Sequence, residues 1–317
     1  MKVLVTGSAG FIGFHVSKRL LERGDTVIGV DSLNEYYDVE LKNARNALLL
    51  QNKNYFFHKV NIADKEELFS VFKKEMPEHI INLAAQAGVR YSLKNPFAYE
   101  ENNVKGFLNI LEACRRFGIM HLVYASSSSV YGANKKLPFS ESDRVDYPIS
   151  LYAATKKSNE EMAFAYHHLF GINVFGLRFF TVYGPFGRPD MALFIFAKSI
   201  LEGKPIRLFN KGEMKRDFTY VSDIVDGVIS ALDKCSGCEV FNLARGEARR
   251  LLDFIKEIEK NIGKKALVEL LPLQQGDVPN TSADISKARK ILGYSPKVSI
   301  EEGISEFIKW YKEFYGK

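Results

Sequence analysis

The amino-acid sequence predicts an α/β fold in which helices cover both faces of a doubly wound parallel sheet. Apolar strand-like runs alternate with segments of helical periodicity from the amino terminus to about residue 180, a pattern typical of successive βαβ units. A glycine-rich turn directly follows the first apolar run. With 317 residues, of which 46% are apolar, the chain is long enough for one large domain and a smaller carboxy-terminal α/β lobe.

The order of the predicted elements follows this alternation. After a first strand that ends before Gly7, strands are expected over 26–30, 55–60, 79–84, 121–125, 173–180 and 239–243. Helices are expected after Gly13 and over 39–50, 65–75, 97–117, 152–170, 191–201, 221–232, 251–262 and 300–315. The alternation becomes less regular beyond residue 180. We therefore expect a main domain over 1–180, joined by 218–245, and a discontinuous substrate-binding lobe within 181–317.

The amino-terminal βαβ unit indicates a dinucleotide site. Gly7 permits a tight turn after the first strand, Gly10 lets the backbone approach a pyrophosphate, and Gly13 lets the helix pack closely on the strand. The free N–H groups of the helix amino terminus suit phosphate oxygens. The second strand ends at Asp31, whose carboxylate can accept hydrogen bonds from an adenosine ribose and would repel the 2′-phosphate of NADP. The unit predicts a Rossmann-type domain that binds NAD.

A serine run and a tyrosine–lysine pair indicate the chemistry. The strand over 121–125 is followed by four serines, and Tyr152 and Lys156 open a predicted helix with one shared face. A lysine charge beside a phenol favours the phenolate, and bringing its pKa of about 10 near neutrality needs roughly 4 kcal/mol. A serine hydroxyl could share a proton with the same substrate oxygen. This arrangement suits proton removal from a sugar hydroxyl; the competing interpretation is a surface tyrosine beside a solvated lysine.

Charge and cysteine content narrow the function classes. The net charge of +6 comes from 44 basic and 38 acidic residues in scattered doublets, which does not predict nucleic-acid binding. Three cysteines are too few for a disulfide framework, and Cys235 and Cys238 lack the second pair of a zinc site, so no metal is predicted. No apolar run is long enough to span a membrane, and the amino terminus lacks the layout of a signal peptide. We expect a cytoplasmic protein.

Further motifs lie at 84–90, 125–132, 178–185, 188–192 and 216–220. With the glycine turn and the tyrosine–lysine pair, they make the sequence resemble the extended short-chain dehydrogenase/reductase family over essentially its whole length. Within that family it is most similar to NAD-dependent nucleotide-sugar 4-epimerases, particularly those acting on UDP-glucuronate. The resemblance implies an isomerase that holds NAD tightly and recycles it. It also implies a homodimer through a bundle of the helices over 97–117 and 152–170.

The resemblance assigns roles residue by residue. Tyr152 would be the catalytic base, Lys156 would lower its pKa and bind the nicotinamide ribose, and Ser127 would hydrogen-bond the sugar hydroxyl. The implied NAD contacts lie in the glycine turn, at strand ends and on two helices: Gly7, Gly10, Phe11, Ile12, Gly13, Asp31, Ser32, Asn34, Asn61, Ile62, Leu83, Ala84, Ala85, Gln86, Asn103, Tyr152 and Lys156.

The implied UDP-sugar contacts come mostly from the second half of the chain. Arg216 would bind the diphosphate through its forked donors, Asp277 would accept from the uridine ribose, and Leu208 and Phe209 would flank the uracil. On the sequence alone, Leu208 and Phe209 are more simply residues of a core strand. The full set is Arg90, Ser128, Ser129, Thr181, Arg188, Leu208, Phe209, Arg216 and Asp277.

The residues that follow Ser127 favour plain epimerisation. Related dehydratases carry an Asp-Glu pair at the positions of Ser128 and Ser129, and related decarboxylases carry Glu at the second. Here only hydroxyls are present, so a 4-keto sugar would form and be reduced on its other face. Three alternatives remain: an epimerase of a neutral UDP-hexose or UDP-N-acetylhexosamine, a non-catalytic NAD-binding regulator, and a reductase with exchangeable NADPH.

Overall fold

The fold was analysed in a computed structural model, which describes residues 1–272 and 278–316. Its strands are β1 Lys2–Thr6, β2 Thr26–Asp31, β3 Tyr55–Lys59, β4 His79–Asn82, β5 His121–Ser127, β6 Asn173–Phe179, β7 Thr181–Tyr183, β8 Pro205–Leu208, β9 Lys215–Tyr220, β10 Cys238–Leu243, β11 Ala248–Arg250 and β12 Leu267–Leu270. Its helices are α1 Phe11–Glu22, α2 Val39–Leu50, α3 Lys65–Glu75, α4 Tyr91–Lys94, α5 Phe97–Tyr99, α6 Gly106–Phe117, α7 Leu151–Phe170, α8 Ala192–Leu201, α9 Val221–Lys234, α10 Leu251–Ile262, α11 Ser286–Leu292 and α12 Ile300–Tyr315.

The central sheet confirms the predicted fold class. Among the described residues, seven strands pair in the order β10–β6–β5–β4–β1–β2–β3, and every pair is parallel. The chain winds outward from β1 in one direction through β2 and β3, then crosses to β4 and winds in the other direction. In such sheets ligands bind where the winding reverses, at the carboxyl ends of the strands. The edge between β1 and β4 is therefore the expected site.

Local sequence signals explain where α7 begins and ends. The side chain of Ser150 accepts a hydrogen bond from the backbone N–H of Ala153, which satisfies one of the free donors of the first turn. The helix ends at Gly171, whose φ of 69° places it in the left-handed region that favours glycine. Because the cap fixes the first turn, Tyr152 has a defined position at the start of the helix.

Apolar packing lies on both faces of the sheet and in the carboxy-terminal part of the chain. One cluster lies where α1 and α9 cover the sheet, and another lies under α3 and α6 on the opposite face. A third cluster joins α8, α10 and α12 to the three-stranded sheet β11–β9–β7. The strand β10 pairs with β6 in the central sheet after the chain has passed through β8 and β9. The division into a domain and a discontinuous lobe stays a prediction.

Three details differ from the sequence expectations. The helix expected over 97–117 is interrupted by a π-helical turn, Glu100–Lys105, between α5 and α6. The strand expected over 79–84 ends at Asn82, whereas the one expected over 121–125 continues to Ser127. That extension occurs because β5 keeps its parallel pairing with β6 up to the pair of Ser127 and Phe179. Short elements such as β7, β11 and α11 were not expected, because their few residues carry little periodicity.

No helix in 1–272 and 278–316 is long and apolar enough to cross a membrane.

The tight contact between α1 and the glycine turn generates a stability prediction. A Cβ at Gly13 would lie 1.9 Å from the carbonyl oxygen of Gly7, so Gly13→Ala must displace backbone. We expect the free energy of unfolding to fall by about 1–3 kcal/mol, as in other overpacked sites. Ser17→Ala on the same helix is the control, since it removes a buried hydroxyl that has no hydrogen-bond partner. Urea unfolding measures both variants, and equal stabilities would contradict the packing argument.

Candidate active site

A cavity of about 1240 Å³ opens at the carboxyl ends of the parallel strands. Its walls include the glycine turn after β1, the end of β2, the segment after β4, the end of β5 and the first turns of α7. Segments between 181 and 218 close the other side. The cavity therefore lies where the sheet topology places it and is bordered by both halves of the chain.

Most of the predicted contact residues line this cavity. Of the predicted NAD contacts, those that do so are Gly7, Gly10, Phe11, Ile12, Gly13, Asp31, Ser32, Asn34, Asn61, Ile62, Leu83, Ala84, Ala85, Gln86, Tyr152 and Lys156. Of the predicted substrate contacts, those that do so are Arg90, Ser128, Ser129, Thr181, Arg188, Phe209 and Arg216, together with the catalytic candidate Ser127. Their individual roles stay predictions.

Three predicted residues are not brought to the cavity wall. Leu208 is fully buried in the apolar cluster around α8 and α10, because the alternation of β8 turns it toward that core. Asn103 is buried behind the wall and contacts a residue that does line it. Asp277 lies outside the described residues.

The glycine turn fits a dinucleotide phosphate. Gly7 has a φ of 68°, and a Cβ on it would lie 2.8 Å from the backbone nitrogen of Ala84, so the turn approaches the end of β4 closely. A Cβ at Gly10 would lie 2.9 Å from the carbonyl oxygen of Gly7. The first turn of α1 contains no acidic residue, and Phe11 and Ile12 face the cavity. The helix amino terminus is therefore available to phosphate oxygens.

Asp31 is positioned for a ribose. Its carboxylate accepts backbone hydrogen bonds from Ala9 at 3.1 Å and from Leu33 at 2.8 Å, which fix it at the end of β2. Burial raises the pKa of Asp31, and these hydrogen bonds together with the charges of Lys42 and Arg45 act in the opposite direction. The carboxylate is therefore held in place by the backbone with cavity space in front of it. Adenosine hydroxyls can donate to such a group.

The π-helical turn ties the segment after β4 to α7. Asn103 donates from Nδ2 to the carbonyl oxygen of Gln86 at 3.0 Å and accepts from the Gln86 N–H at 2.8 Å. The same Nδ2 donates to the hydroxyl of Thr155 at 3.1 Å, and Asn159 Nδ2 donates to the Asn103 carbonyl at 2.6 Å. Asn103 therefore acts on the cavity through Gln86, whose backbone it holds in place. Periodicity alone could not reveal this turn.

Tyr152, Ser127 and Lys156 converge at the end of β5. The phenol of Tyr152 lies near Ser127, whose side chain acts on the pKa of the phenol. The Ser127 Oγ donates to the Oγ of Ser129 at 3.1 Å and accepts from the Ser129 N–H at 3.2 Å. The ammonium of Lys156 donates to the carbonyl oxygen of Ala125 at 2.9 Å. One helix face and one strand end thus bring the three predicted catalytic side chains together.

Burial and two neighbouring side chains set the pKa of Tyr152. Burial raises the pKa of Tyr152, while the nearby Ser127 hydroxyl and the positive charge of Arg188 act to lower it. The predicted effect of Lys156 on the phenol stays a prediction; its ammonium donates to the backbone of β5. Burial lowers the pKa of Lys156 itself to about 8, partly opposed by the Glu160 carboxylate. Arg188 is thus a cation from another part of the chain that favours the phenolate.

Arg188 is held by an acidic partner at the cavity wall. Its Nε donates to Asp190 at 3.0 Å, and the Tyr36 hydroxyl donates to the other oxygen of the same carboxylate at 3.2 Å. Burial opposes the charge of Arg188, but Asp190 raises its pKa above the ordinary value. Asp190 and Tyr36 were not predicted as site residues; the motif at 188–192 was the available signal for the first.

Two other cations connect distant segments around the cavity. The guanidinium of Arg90, which precedes α4, lies 4.6 Å from the ring centroid of Phe209, which follows β8. Arg216 on β9 donates to the carbonyl oxygens of Lys215 and Pro279, each at 2.9 Å. Arg90, Arg188 and Arg216 thus give the substrate side of the cavity a positive wall suited to phosphate or carboxylate groups.

Comparison with known proteins decides the family. Residues 3–244 match the model of the NAD dependent epimerase/dehydratase family. The chain belongs to this family. It is 44% identical to a probable UDP-glucuronate 4-epimerase of Rhizobium meliloti, with 99% of this chain and 98% of the relative covered. It is 48% identical to UDP-glucuronate 4-epimerase 4 of Arabidopsis thaliana, with coverage of 99% and 76%.

Solved structures agree with this membership. The fold matches the UDP-glucuronic acid 4-epimerase of Bacillus cereus, solved with UDP-glucuronic acid and NAD, at a TM-score of 0.93 and 37% identity; 99% of this chain and 100% of that chain are covered. It also matches a UDP-glucose 4-epimerase of Thermotoga maritima, solved with UDP-glucose, at a TM-score of 0.90 and 33% identity; coverage is 99% and 100%. The resemblance to extended short-chain dehydrogenases/reductases is thereby confirmed.

The position of Tyr152 predicts a selective loss of activity. Tyr152→Phe removes the phenol hydroxyl but keeps the ring and the capped first turn of α7. We expect turnover to fall at least about 100-fold, the lower range for loss of a general base, with little change in melting temperature. Tyr166→Phe is the matched control on the same helix, since its hydroxyl donates only to Glu112 at 2.8 Å. Equal turnover in the two variants would contradict the assignment.

Lys156 predicts a pH-dependent stability. Below pH 8 the ammonium is charged in both states and burial destabilises the folded one. Between pH 8 and the pKa of lysine in the unfolded chain, near 10.4, the folded state has lost the Lys156 proton whereas the unfolded state keeps it. The free energy of unfolding therefore increases by up to roughly 3 kcal/mol across this range. Lys156→Met has no ammonium to bury and lacks this gain. We therefore expect the variant to have a larger free energy of unfolding than wild type at pH 7, and the difference between the two proteins to shrink by pH 9.5.

Urea unfolding at both pH values, with Lys157→Met as the control, measures this effect. Lys157 is one residue further along α7 and pairs with Glu161 at 2.6 Å, while Glu160 lies further from its ammonium, at 3.8 Å. Its replacement should leave the pH dependence of wild type intact. A Lys156→Met variant whose stability follows wild type in parallel across this range would contradict the buried-ammonium interpretation.

Proposed function

We propose that this protein catalyses the NAD-dependent 4-epimerisation of a UDP-sugar, most specifically the interconversion of UDP-glucuronate and UDP-galacturonate. The observation that carries the proposal is the convergence of Tyr152, Ser127 and Lys156 beside a glycine turn within one cavity. The proposed cofactor contacts of Gly7, Gly10 and Asp31 rest on the geometry described above. The relatives named as UDP-glucuronate 4-epimerases support the substrate.

The chain supplies the acid–base steps. Tyr152 takes the proton from the sugar O4 and later returns it, while Ser127 hydrogen-bonds the same oxygen. Lys156 keeps a positive charge near the reacting atoms and is positioned to bind a ribose hydroxyl. Bound NAD supplies the chemistry of accepting a hydride from C4 and giving it back. Inversion requires that the keto sugar present its other face between the two transfers, for which the large cavity leaves space.

The residues around the sugar site favour epimerisation of a uronate. Ser128, Ser129 and Thr181 line the cavity beside the catalytic cluster, and they offer hydroxyls where an eliminating enzyme would need an acid. The 4-keto form of a uronate is a β-keto acid that readily loses CO₂ when its carboxylate is aligned with the carbonyl. We infer that these three hydroxyls hold the carboxylate out of that alignment.

We also propose a homodimer. Phe97 on α5 and Phe164 on α7 are 79% and 59% exposed, and Leu108 on α6 and Leu151 on α7 are also exposed. Both α5 and α6 contact α7. Exposed apolar side chains in one region are typical of an association surface, and a second copy of this chain would bury them. The cytoplasmic location expected from the sequence stays a prediction.

The direct test is incubation of the purified protein with UDP-glucuronate and no added cofactor. Anion-exchange chromatography and NMR should reveal UDP-galacturonate, and heat-denatured protein should release NAD in near-stoichiometric amount. Turnover of UDP-glucose or UDP-N-acetylglucosamine in preference to the uronate would favour the epimerase of neutral sugars instead. Bound NAD without turnover of any of these sugars would favour the non-catalytic regulator.

The hydroxyl cradle predicts a change in product. Thr181→Val removes one hydroxyl at nearly constant volume, so the carboxylate of the keto intermediate should reach the aligned geometry more often. We expect the fraction of UDP-keto-pentose to rise about tenfold, the effect of losing one hydrogen bond to a charged group. Thr181→Ser, which keeps the hydroxyl, is the matched control. An unchanged fraction of keto-pentose in Thr181→Val would contradict the role of Thr181.

A further inference from the structure

A buried ion pair lies one helical turn beyond Lys156. Glu160 follows Lys156 by four residues on α7, and Arg178 on β6 binds its carboxylate through two hydrogen bonds, Nε to Oε1 at 2.9 Å and Nη2 to Oε2 at 2.8 Å. Both side chains are about 95% buried. A bidentate arginine–carboxylate pair has a fixed relative orientation. The pair therefore joins the catalytic helix rigidly to the sheet.

The same carboxylate also holds the serine strand. Ser126 donates from Oγ to Oε1 of Glu160 at 2.6 Å, and it lies directly opposite Arg178 in the register of β5 and β6. Ser126 directly precedes Ser127, which lines the cavity together with Tyr152. A single carboxylate thus fixes the end of β5 relative to α7, the two elements whose side chains meet at the catalytic cluster.

The arginine extends this network to the turn that carries the other serines. Its Nη1 donates to the hydroxyl of Tyr131 at 3.1 Å, and that hydroxyl donates to Asn242 on β10 at 2.7 Å. Tyr131 ends the 3₁₀ turn Ser128–Tyr131, which contains both serines of the proposed carboxylate cradle. The guanidinium also lies 4.9 Å from the Tyr131 ring centroid. The 3₁₀ turn is therefore held at its last residue, Tyr131.

Stability alone does not account for such a pair. Burying two charges is unfavourable, and replacing a buried ion pair by well-packed apolar side chains is often neutral or stabilising. We propose that Glu160 and Arg178 are positioning residues. Together with Ser126 and Tyr131, they hold the end of β5 and the 3₁₀ turn that follows it in a fixed position relative to Tyr152 and Lys156. The proposal rests on the epimerase function proposed above, and it attributes part of the rate of epimerisation to this hydrogen-bonded network.

The test replaces both charges at once in Glu160→Leu/Arg178→Met. The double variant should fold with a melting temperature near that of wild type, because two opposite charges are removed together and the Lys156 ammonium keeps its hydrogen bond to the carbonyl oxygen of Ala125. Its kcat should fall about 100-fold, the effect of displacing reacting groups by about 1 Å. The KM for UDP-glucuronate and the NAD content released on denaturation should stay near wild type. A double variant with wild-type kcat would overturn the proposal.

A second variant makes the test independent of how the double variant folds. Ser126→Ala keeps the Glu160–Arg178 pair but removes the hydroxyl that links it to β5, so kcat should fall about 10-fold, again through displacement of reacting groups. Ser17→Ala, a buried serine on α1 without a hydrogen-bond partner, is the matched control and should keep wild-type kcat. Equal kcat in these two variants would overturn the link through Ser126.

Wild-type turnover separates this proposal from the function on which it rests. A wild-type protein that leaves UDP-glucuronate, UDP-glucose and UDP-N-acetylglucosamine all unchanged would overturn the proposed epimerase and with it the positioning role. Turnover by wild type combined with full turnover by the double variant would overturn only the positioning role.

Discussion

The site depends on one buried ammonium and the groups that make its burial possible. The side chain of Lys156 extends from α7 to β5, where the carbonyl oxygen of Ala125 accepts its hydrogen bond. The Glu160 carboxylate favours the charged form of Lys156. A desolvated charge is strongly unfavourable without such partners, so the helix and the strand end must keep this geometry. Because Tyr152 is one turn earlier on the same face, its phenol is then placed at Ser127. The other residues that line the cavity lie around Tyr152 and Ser127.

Much of the fold could be predicted because its signals are local. The strand before Gly7, the glycine spacing and the helix that follows are read from neighbouring residues, and the start of α7 follows from the cap at Ser150. The π-helical turn could not be predicted, because the hydrogen bonds that favour it join Asn103 to Gln86 and Thr155, far apart in sequence. The same reason applies to β7, β9 and β11, which exist mainly through their mutual pairing.

The sequence predicted which residues line the cavity where a motif carries them, and it could not predict the contacts that depend on tertiary structure. The turn, the serine run and the tyrosine–lysine pair all reach the cavity. The sequence indicated Lys156 as the cation beside Tyr152, and the structure adds Arg188, from a distant loop, as a cation that acts to lower the pKa of the phenol. Charge effects depend on distance in space, so spacing along a helix could not reveal the contribution of Arg188. Leu208 is in the core because the alternation of β8 turns it inward, as the sequence alone favoured and the family resemblance did not.

The central claim is that C4 of the sugar is reversibly oxidised and that no carbon-bound hydrogen exchanges with water. It is tested most directly by running the reaction on UDP-glucuronate in D₂O and examining UDP-galacturonate by NMR. Because Tyr152 handles only the proton on O4 and the hydride stays with the bound cofactor, the product should keep protium at both C4 and C5. Deuterium at C5 would indicate that the carbon next to the carboxylate is deprotonated instead. Deuterium at C4 would show that the transferred hydrogen comes from solvent, and either result would contradict the account.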